Sequence, residues 1–362
     1  MSNSSQSFFT WLKNLFLALI DRIYPQRQKR SRKTGTMAKK LILSTGNIVS
    51  GGPSIIRKPG AYRSNLELTN SLRSNFLSAK QDYATTPTGN TSENGDDVES
   101  QQPTPAAAVA PTPLSSWTAQ DGDTLYIPRV EWDADGRGLQ EDPGQYEITA
   151  KMFFLQAPGD PAARAGHTRE ALSLVMRELR APSVSLLIVS FPGMSFDGDC
   201  EWEADKANAA QGSDAEELAT WARAVEPLHD EGLAARLGIA EFGSEKLARF
   251  LAGVRVAPRV DQINVRDCCN VPPPLATLAK DKGIELFVHS DCTDVLPEGT
   301  LRELLGPGAR GAGVLADPAA GVDDGLRGDL TPQWVIKYTA VVRDRGVIEN
   351  KGYFAGATLV EE

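Results

Sequence analysis

The sequence predicts an α/β protein folded as a (β/α)8 barrel, with a disordered insertion and an N-terminal extension outside the core. Three observations carry this expectation. From Leu41 onward, short apolar runs alternate with segments of helical periodicity, the pattern of parallel strands joined by crossover helices. Eight strand-like runs fall in one series, which favours a closed barrel over an open sheet. A chain of 362 residues is also long enough to bury one large core without disulfide support.

Residues 1–36 stand apart from that series. Phe8 to Ile20 is apolar but too short to span a bilayer comfortably. Thr10, Lys13 and Asn14 within it and Asp21 just after it recur at helical spacing, as in an amphipathic helix lying on a membrane surface. A basic run, Gln26 to Lys33, follows. Three readings stay open: a surface anchor, an organelle-targeting segment, or sequence upstream of a true start at Met37.

The first strand is Leu41–Ser44, and Gly51-Gly52-Pro53 beyond it reads as a turn. From about 82 to 120 the chain is rich in Thr, Pro, Ala, Ser, Asn and Gly. Such a stretch buries too little apolar surface to offset its ordering entropy, so it reads as a disordered insertion within the domain of residues 37–362. The remaining strands are Leu125–Val130, Ile148–Leu155, Val184–Ser190, Arg236–Ala240, Asp261–Val265, Ile284–His289 and Gly346–Ile348. Helical faces lie between them: Ala171 to Leu179 after Thr168, Leu218 to Leu228, and Leu247 to Leu251 after Ser244. Pro272 to Lys280 and Trp334 to Val342 complete the helices.

Charge restricts the partners. Residues 1–40 carry nine Lys or Arg against Asp21, a balance of +8, so the rest of a chain whose net charge is −9 carries −17. An acidic body argues against nucleic acid, since phosphate binding needs a basic face. Four cysteines, Cys200, Cys268, Cys269 and Cys292, make no disulfide scaffold and point to a reducing, cytoplasmic setting. His167, His229 and His289 lie far apart, without metal-ligand spacing, so no metal is expected. No G-x-G-x-x-G or Walker-type loop occurs.

Particular motifs narrow the class. Ala235 to Leu247, reading ARLGIAEFGSEKL, resembles the "IGVSNF…QL" segment of aldo-keto reductases. Trp221 to Leu228 is similar to the helix before it, Asp261 to Val265 to their "NQVE", and Ile284 to Ser290 to their "I.L.AYS" strand. The resemblance covers most of residues 148–355 and implies a barrel of aldo-keto reductase type. A narrower likeness exists within that superfamily. Val260 to Leu275, with its adjacent cysteines and Pro272-Pro273-Pro274, resembles the "NQVNL.SCC..PP.L" signature of the glutamate–cysteine ligase regulatory subunit family. Trp334 to Tyr338, Arg345 to Tyr353 and Leu43 to Asn47 are similar to further motifs of that family.

The resemblance also implies a barrel without chemistry of its own. Aldo-keto reductases need a Tyr acid, a Lys that lowers its pKa, an Asp paired with that Lys and a His that orients the carbonyl. Lys151 stands at the Lys position and Ser190 at the His position. The segment that should supply Asp and Tyr holds Asp133 and Asp135, but Tyr126 comes too early. The Ser-Asn pair that holds a nicotinamide amide is replaced by Ala240 and Glu241, and the Ser that contacts the cofactor phosphate by Gly352. Lys151 and Gln262 are then relics of a reductase site, with no catalytic residue and no cofactor. The implied function is that of a regulatory subunit of an ATP-dependent ligase, not itself an enzyme, paired as a heterodimer with the glutamate–cysteine ligase catalytic subunit. The alternatives are a working NADPH-dependent carbonyl reductase and a membrane-tethered scaffold.

Two readings remain for Cys268 and Cys269. Either is a small buried hydrophobe, or one is an exposed thiol at the mouth of a barrel strand that pairs reversibly with the partner subunit. Neighbours on an extended chain point to opposite faces, so one can be buried while the other is accessible. Arg266 is the nearby cation that would lower a thiol pKa.

Overall fold

A computed structural model describes residues 39–49, 63–84, 113–134, 136–196, 199–264, 270–292, 294–308, 310–317 and 325–360. Strand β1 (Lys40–Ser44) precedes helix α1 (Ser64–Ala84), the single turn α2 (Leu114–Trp117) and the paired strands β2 (Ala119–Asp121) and β3 (Thr124–Ile127). An alternating series follows: β4 (Tyr146–Phe154), α3 (Pro161–Leu179), β5 (Val184–Ser190), α4 (Glu201–Asn208), α5 (Asp214–Thr220) and α6 (Glu226–Asp230). It continues with β6 (Ala234–Ala240), α7 (Ser244–Gly253), β7 (Val260–Asn264), α8 (Pro273–Lys282), β8 (Glu285–His289) and α9 (Thr300–Leu305). Two long strands come last, β9 (Asp329–Val342) and β10 (Val347–Val360).

Local chemistry sets several of these boundaries. The carboxylate of Asp160 accepts from the backbone N–H groups of Ala162 and Ala163, Pro161 opens α3, and Arg180 ends it in the left-handed region. Between α5 and α6 the helix widens into a π turn over Trp221–Val225. Pro227 lies just beyond, lacks an N–H and crowds the carbonyl four residues back, a common cause of such widening.

The strands form one sheet in the order β2-β3-β1-β10-β9-β4-β5-β6-β7-β8. Strands β4 to β8 are parallel neighbours, as the alternation predicts. The C-terminal hairpin was not foreseen. Trp334 to Val342, read from sequence as a helix, is a strand, with β9 antiparallel to both β4 and β10. Its periodicity is two: Trp334, Ile336, Tyr338, Ala340 and Val342 pack into one core, while Val335 packs into another. Aromatic and β-branched side chains suit a strand buried on both faces, and their density conceals the alternation. Gly346–Ile348, expected as a short strand, belongs to β10 or to the turn before it. Strand β1 joins β10 antiparallel and β3 parallel, so the sheet is mixed in this half.

The parallel half curls. Four strand spacings separate β4 from β8, roughly 19 Å in a flat sheet. Yet Lys151 Nζ on β4 lies 3.0 Å from Oδ2 of Asp291, two residues past the end of β8. At the opposite end Arg236 on β6 bridges Glu147 on β4 at 2.9 Å and Glu285 on β8 at 3.0 Å. The Lys151–Asp291 pair requires a sheet bent around its inner face, and the alternate strands joined by Arg236 share one layer, as in a barrel. Leu186, Ile188, Ala240 and Val260, with Phe287 against them, fill the interior. A Cβ on Gly238 there would meet Ile188 at 3.1 Å and Val260 at 3.2 Å. Helices α3 and α5 to α8 pack outside, around Leu172, Val175, Leu187, Trp221, Leu247 and Phe250. Helices α1 and α9 share a second core with β1, β3 and the hairpin, around Leu43, Leu72, Phe76, Trp117 and Tyr353.

Several sequence expectations fall on residues outside the described set: the extension before 37, the Gly51-Gly52-Pro53 turn, most of the Thr/Pro-rich insertion, and Asp135, Arg266, Cys268 and Cys269. The far end of that insertion is described and regular, since α2 and β2 occupy 114–121.

Candidate functional site

The C-terminal ends of β4 and β6 to β8 converge on a buried polar cluster. Asp291 is its centre, accepting from Lys151 Nζ at 3.0 Å on one oxygen and from Lys337 Nζ on β9 at 2.7 Å on the other. His289 Nδ1 accepts from the backbone N–H of Asp291 at 3.0 Å, and its Nε2 lies 2.7 Å from Glu241 Oε1. The other Glu241 oxygen accepts from the backbone N–H of Asn264. Glu241 is buried with φ +63, a left-handed conformation that side chains with a Cβ seldom adopt. Asn208 on α4 holds that turn, donating to the Glu241 carbonyl and accepting from the N–H of Gly243. The hairpin and α1 add a second group. Tyr353 hydroxyl donates to Glu67 Oε1 at 2.7 Å, and Lys351 Nζ bonds the other Glu67 oxygen at 2.6 Å.

The electrostatics follow from burial and pairing. Burial lowers the Lys151 pKa, against the pull of Asp291 and Glu241. For Asp291 burial works to raise the pKa, but the ammonium groups of Lys151 and Lys337 outweigh it and hold the carboxyl far below the usual range. Tyr353 is pushed well above the ordinary phenol value, by burial first and then by the charge and hydrogen bond of Glu67. Tyr338 is also pushed well up by burial.

The cluster gathers some of the residues singled out from sequence and leaves others apart. Lys151 is in it, with its ammonium 5.0 Å from the Phe153 ring centre. Among the described residues no tyrosine hydroxyl is hydrogen-bonded to Lys151. Gln262 lies on β7, and its Oε1 is buried without a partner. Ser190 is buried at the end of β5. Tyr126 is half-buried on β3, and Asp133 lies in the turn that follows. Gly352 sits where a Cβ would collide with the Gly46 carbonyl and the Tyr338 hydroxyl. Sequence reasoning passed over Asp291, Lys337 and Glu67. Lys337 was hidden by the helical reading of its strand, while Asp291, two residues beyond His289, could have been picked out as an acid at the end of a barrel strand.

Two thiols are described, both free and half-buried: Cys200 before α4, and Cys292, whose Sγ lies 3.3 Å from Asn65 Oδ1. No group of three or more His, Cys, Asp or Glu among the described residues is arranged to hold a metal. No described helix is long and apolar enough to cross a membrane.

No family model matches the chain. A Schizosaccharomyces pombe protein named as a glutamate–cysteine ligase regulatory subunit is 28% identical over 336 residues, spanning 89% of this chain and 98% of that protein. The chain is thus similar to proteins named as glutamate–cysteine ligase regulatory subunits. The Homo sapiens regulatory subunit is 22% identical over 213 residues, 59% of this chain and 66% of the human protein. Among solved structures, an aldose reductase from Schistosoma japonicum is 23% identical and covers 38% of this chain and 43% of that one, with a TM-score of 0.28. A Bombyx mori aldo-keto reductase in complex with NADP is 18% identical over 39% of this chain and 40% of that one, also at 0.28. Both alignments cover less than half of each chain, and the barrel-like curl rests on the ion pairs described above.

Proposed function

We propose that this chain is a non-catalytic regulatory subunit that binds the catalytic subunit of glutamate–cysteine ligase as a heterodimer in the cytoplasm. There it improves substrate use and relieves feedback inhibition by glutathione. The observation that carries the proposal is the match to a protein of that name over 89% of this chain. A regulator of this kind acts by binding the active conformation of its partner more tightly than the inhibited one. A preference of about 1.4 kcal/mol shifts that equilibrium tenfold. The acidic body disfavours nucleic acid as a competing partner.

The cluster supports the non-catalytic half of the reading. A reductase acid must donate a proton near neutral pH, whereas Tyr353 is pushed up and its hydroxyl is given to Glu67. Lys151 is engaged by Asp291, and Glu241 puts a buried negative charge where a nicotinamide amide would need a neutral pair. A dinucleotide does not fit these residues. Co-expression with the catalytic subunit tests the proposal: the two should co-purify, and glutamate saturation should shift to lower concentration. Absence of a complex at micromolar concentrations of both chains would remove it.

One observation favours the reductase alternative, namely that Tyr353, two lysines, Asp291 and His289 all meet in one place. Fluorescence titration with NADPH discriminates. The regulatory reading expects no signal, and saturable binding that Tyr353→Phe leaves without turnover would establish the reductase.

A further inference from the structure

Asp261 lies on β7, on the face turned away from the barrel interior. Its register partners are Ile239 on β6 and Leu286 on β8, so its surroundings within the sheet are apolar. The residue is 0% exposed, and neither carboxyl oxygen has a hydrogen-bond partner. The backbone N–H groups of Phe242 and Gln262 pull towards the charged form, but neither completes a hydrogen bond. The charged groups that act on it are themselves acidic. Glu241 comes from the β6–α7 turn, 2.7 Å from His289 Nε2 and accepting from the Asn264 N–H, and Asp205 from α4, bonded to the Ser244 N–H and hydroxyl. Lys246 on α7, the nearest lysine in sequence to that turn, gives its ammonium to Asp214 and Glu217 instead.

An ionised carboxylate here would be desolvated, unpaired and facing two negative charges, a combination that proteins avoid by keeping the group neutral. The likeness noted in the sequence points the same way, since Asp261 stands where the reductase motif "NQVE" has Asn, a neutral side chain of the same shape. We propose that Asp261 is a proton-binding site, held in the folded protein as a neutral carboxylic acid that the unfolded chain releases as a carboxylate.

The sign is fixed by linkage. Burial, and then the charge of Glu241, hold the folded carboxyl well above its ordinary 3.8. Above that value the unfolded chain loses the proton while the folded chain keeps it. The contribution of Asp261 to the folding equilibrium therefore falls as pH rises, until the native carboxyl itself ionises. Asp261→Asn keeps the shape and removes the titration. The ratio of its folding constant to that of the wild type, measured by urea unfolding of the full chain, should climb about tenfold per pH unit from about pH 5 until the native carboxyl ionises. An infrared spectrum of the wild type at neutral pH should contain a protonated-carboxyl C=O band that Asp261→Asn lacks. A pH-independent ratio, or identical carboxyl bands in the two proteins, would overturn the proposal. The infrared comparison decides even if the variant proves hard to unfold reversibly.

Discussion

Asp291 faces two ammonium groups inside the fold, with its own side chain 8% exposed. Removing its charge strands Lys151, which is 5% exposed at the side chain. Asp291→Asn should therefore destabilise the protein by about 3–5 kcal/mol in urea unfolding at neutral pH. The pH dependence has a definite direction. The native carboxyl is held below its unfolded value of 3.8, so the stability it contributes is complete above that pH and is lost as pH falls through the lower native value. The gap between wild type and Asp291→Asn should accordingly be widest near neutrality and narrow in acid. A constant gap down to the most acidic folded condition would contradict the pairing. Tyr353→Phe removes one hydrogen bond to Glu67, which Lys351 still neutralises, and should cost about 1 kcal/mol while leaving activation of the partner unchanged. At this scale the sequence disclosed Lys151, whose strand has clear boundaries. It could not disclose that Lys151 and Lys337 grip opposite oxygens of one carboxyl, that of Asp291.

At the scale of elements, the parallel strands were legible because each is a short apolar run bounded by helical periodicity, and β5 begins and ends where expected, Val184–Ser190. The C-terminal hairpin was not. Trp334, Val335, Ile336 and Tyr338 are all buried, so the period-two signal that separates strand from helix is masked by apolar residues on both faces. What the sequence does mark is the close approach within the hairpin. Gly352 leaves no space for a side chain between the Gly46 carbonyl and the Tyr338 hydroxyl. Gly352→Ser, which would restore the residue type expected of a phosphate-binding reductase, should lower stability by about 1–3 kcal/mol in thermal or urea unfolding and confer no NADPH binding. A variant as stable as the parent would show that the hairpin packs otherwise.

For the whole molecule, the curl of β4 to β8 supplies a rigid frame, and the polar cluster ties that frame to the hairpin and, through Glu67, to α1. Loops at the C-terminal mouth of such a frame are where binding is expected, so we propose docking through the stretch that follows β7 in sequence, Cys268 to Pro274. Alanine replacement of both Cys268 and Cys269 should leave the fold intact. If the thiols contribute to pairing, it should also abolish any reducible crosslink to the catalytic subunit, read on non-reducing gels. The measurement closest to the central claim is the glutamate saturation of the purified catalytic subunit, with glutathione present, before and after adding this chain in excess. The account predicts half-saturation at lower glutamate and weaker inhibition by glutathione. Superimposable curves, at concentrations where both chains are folded, would contradict it.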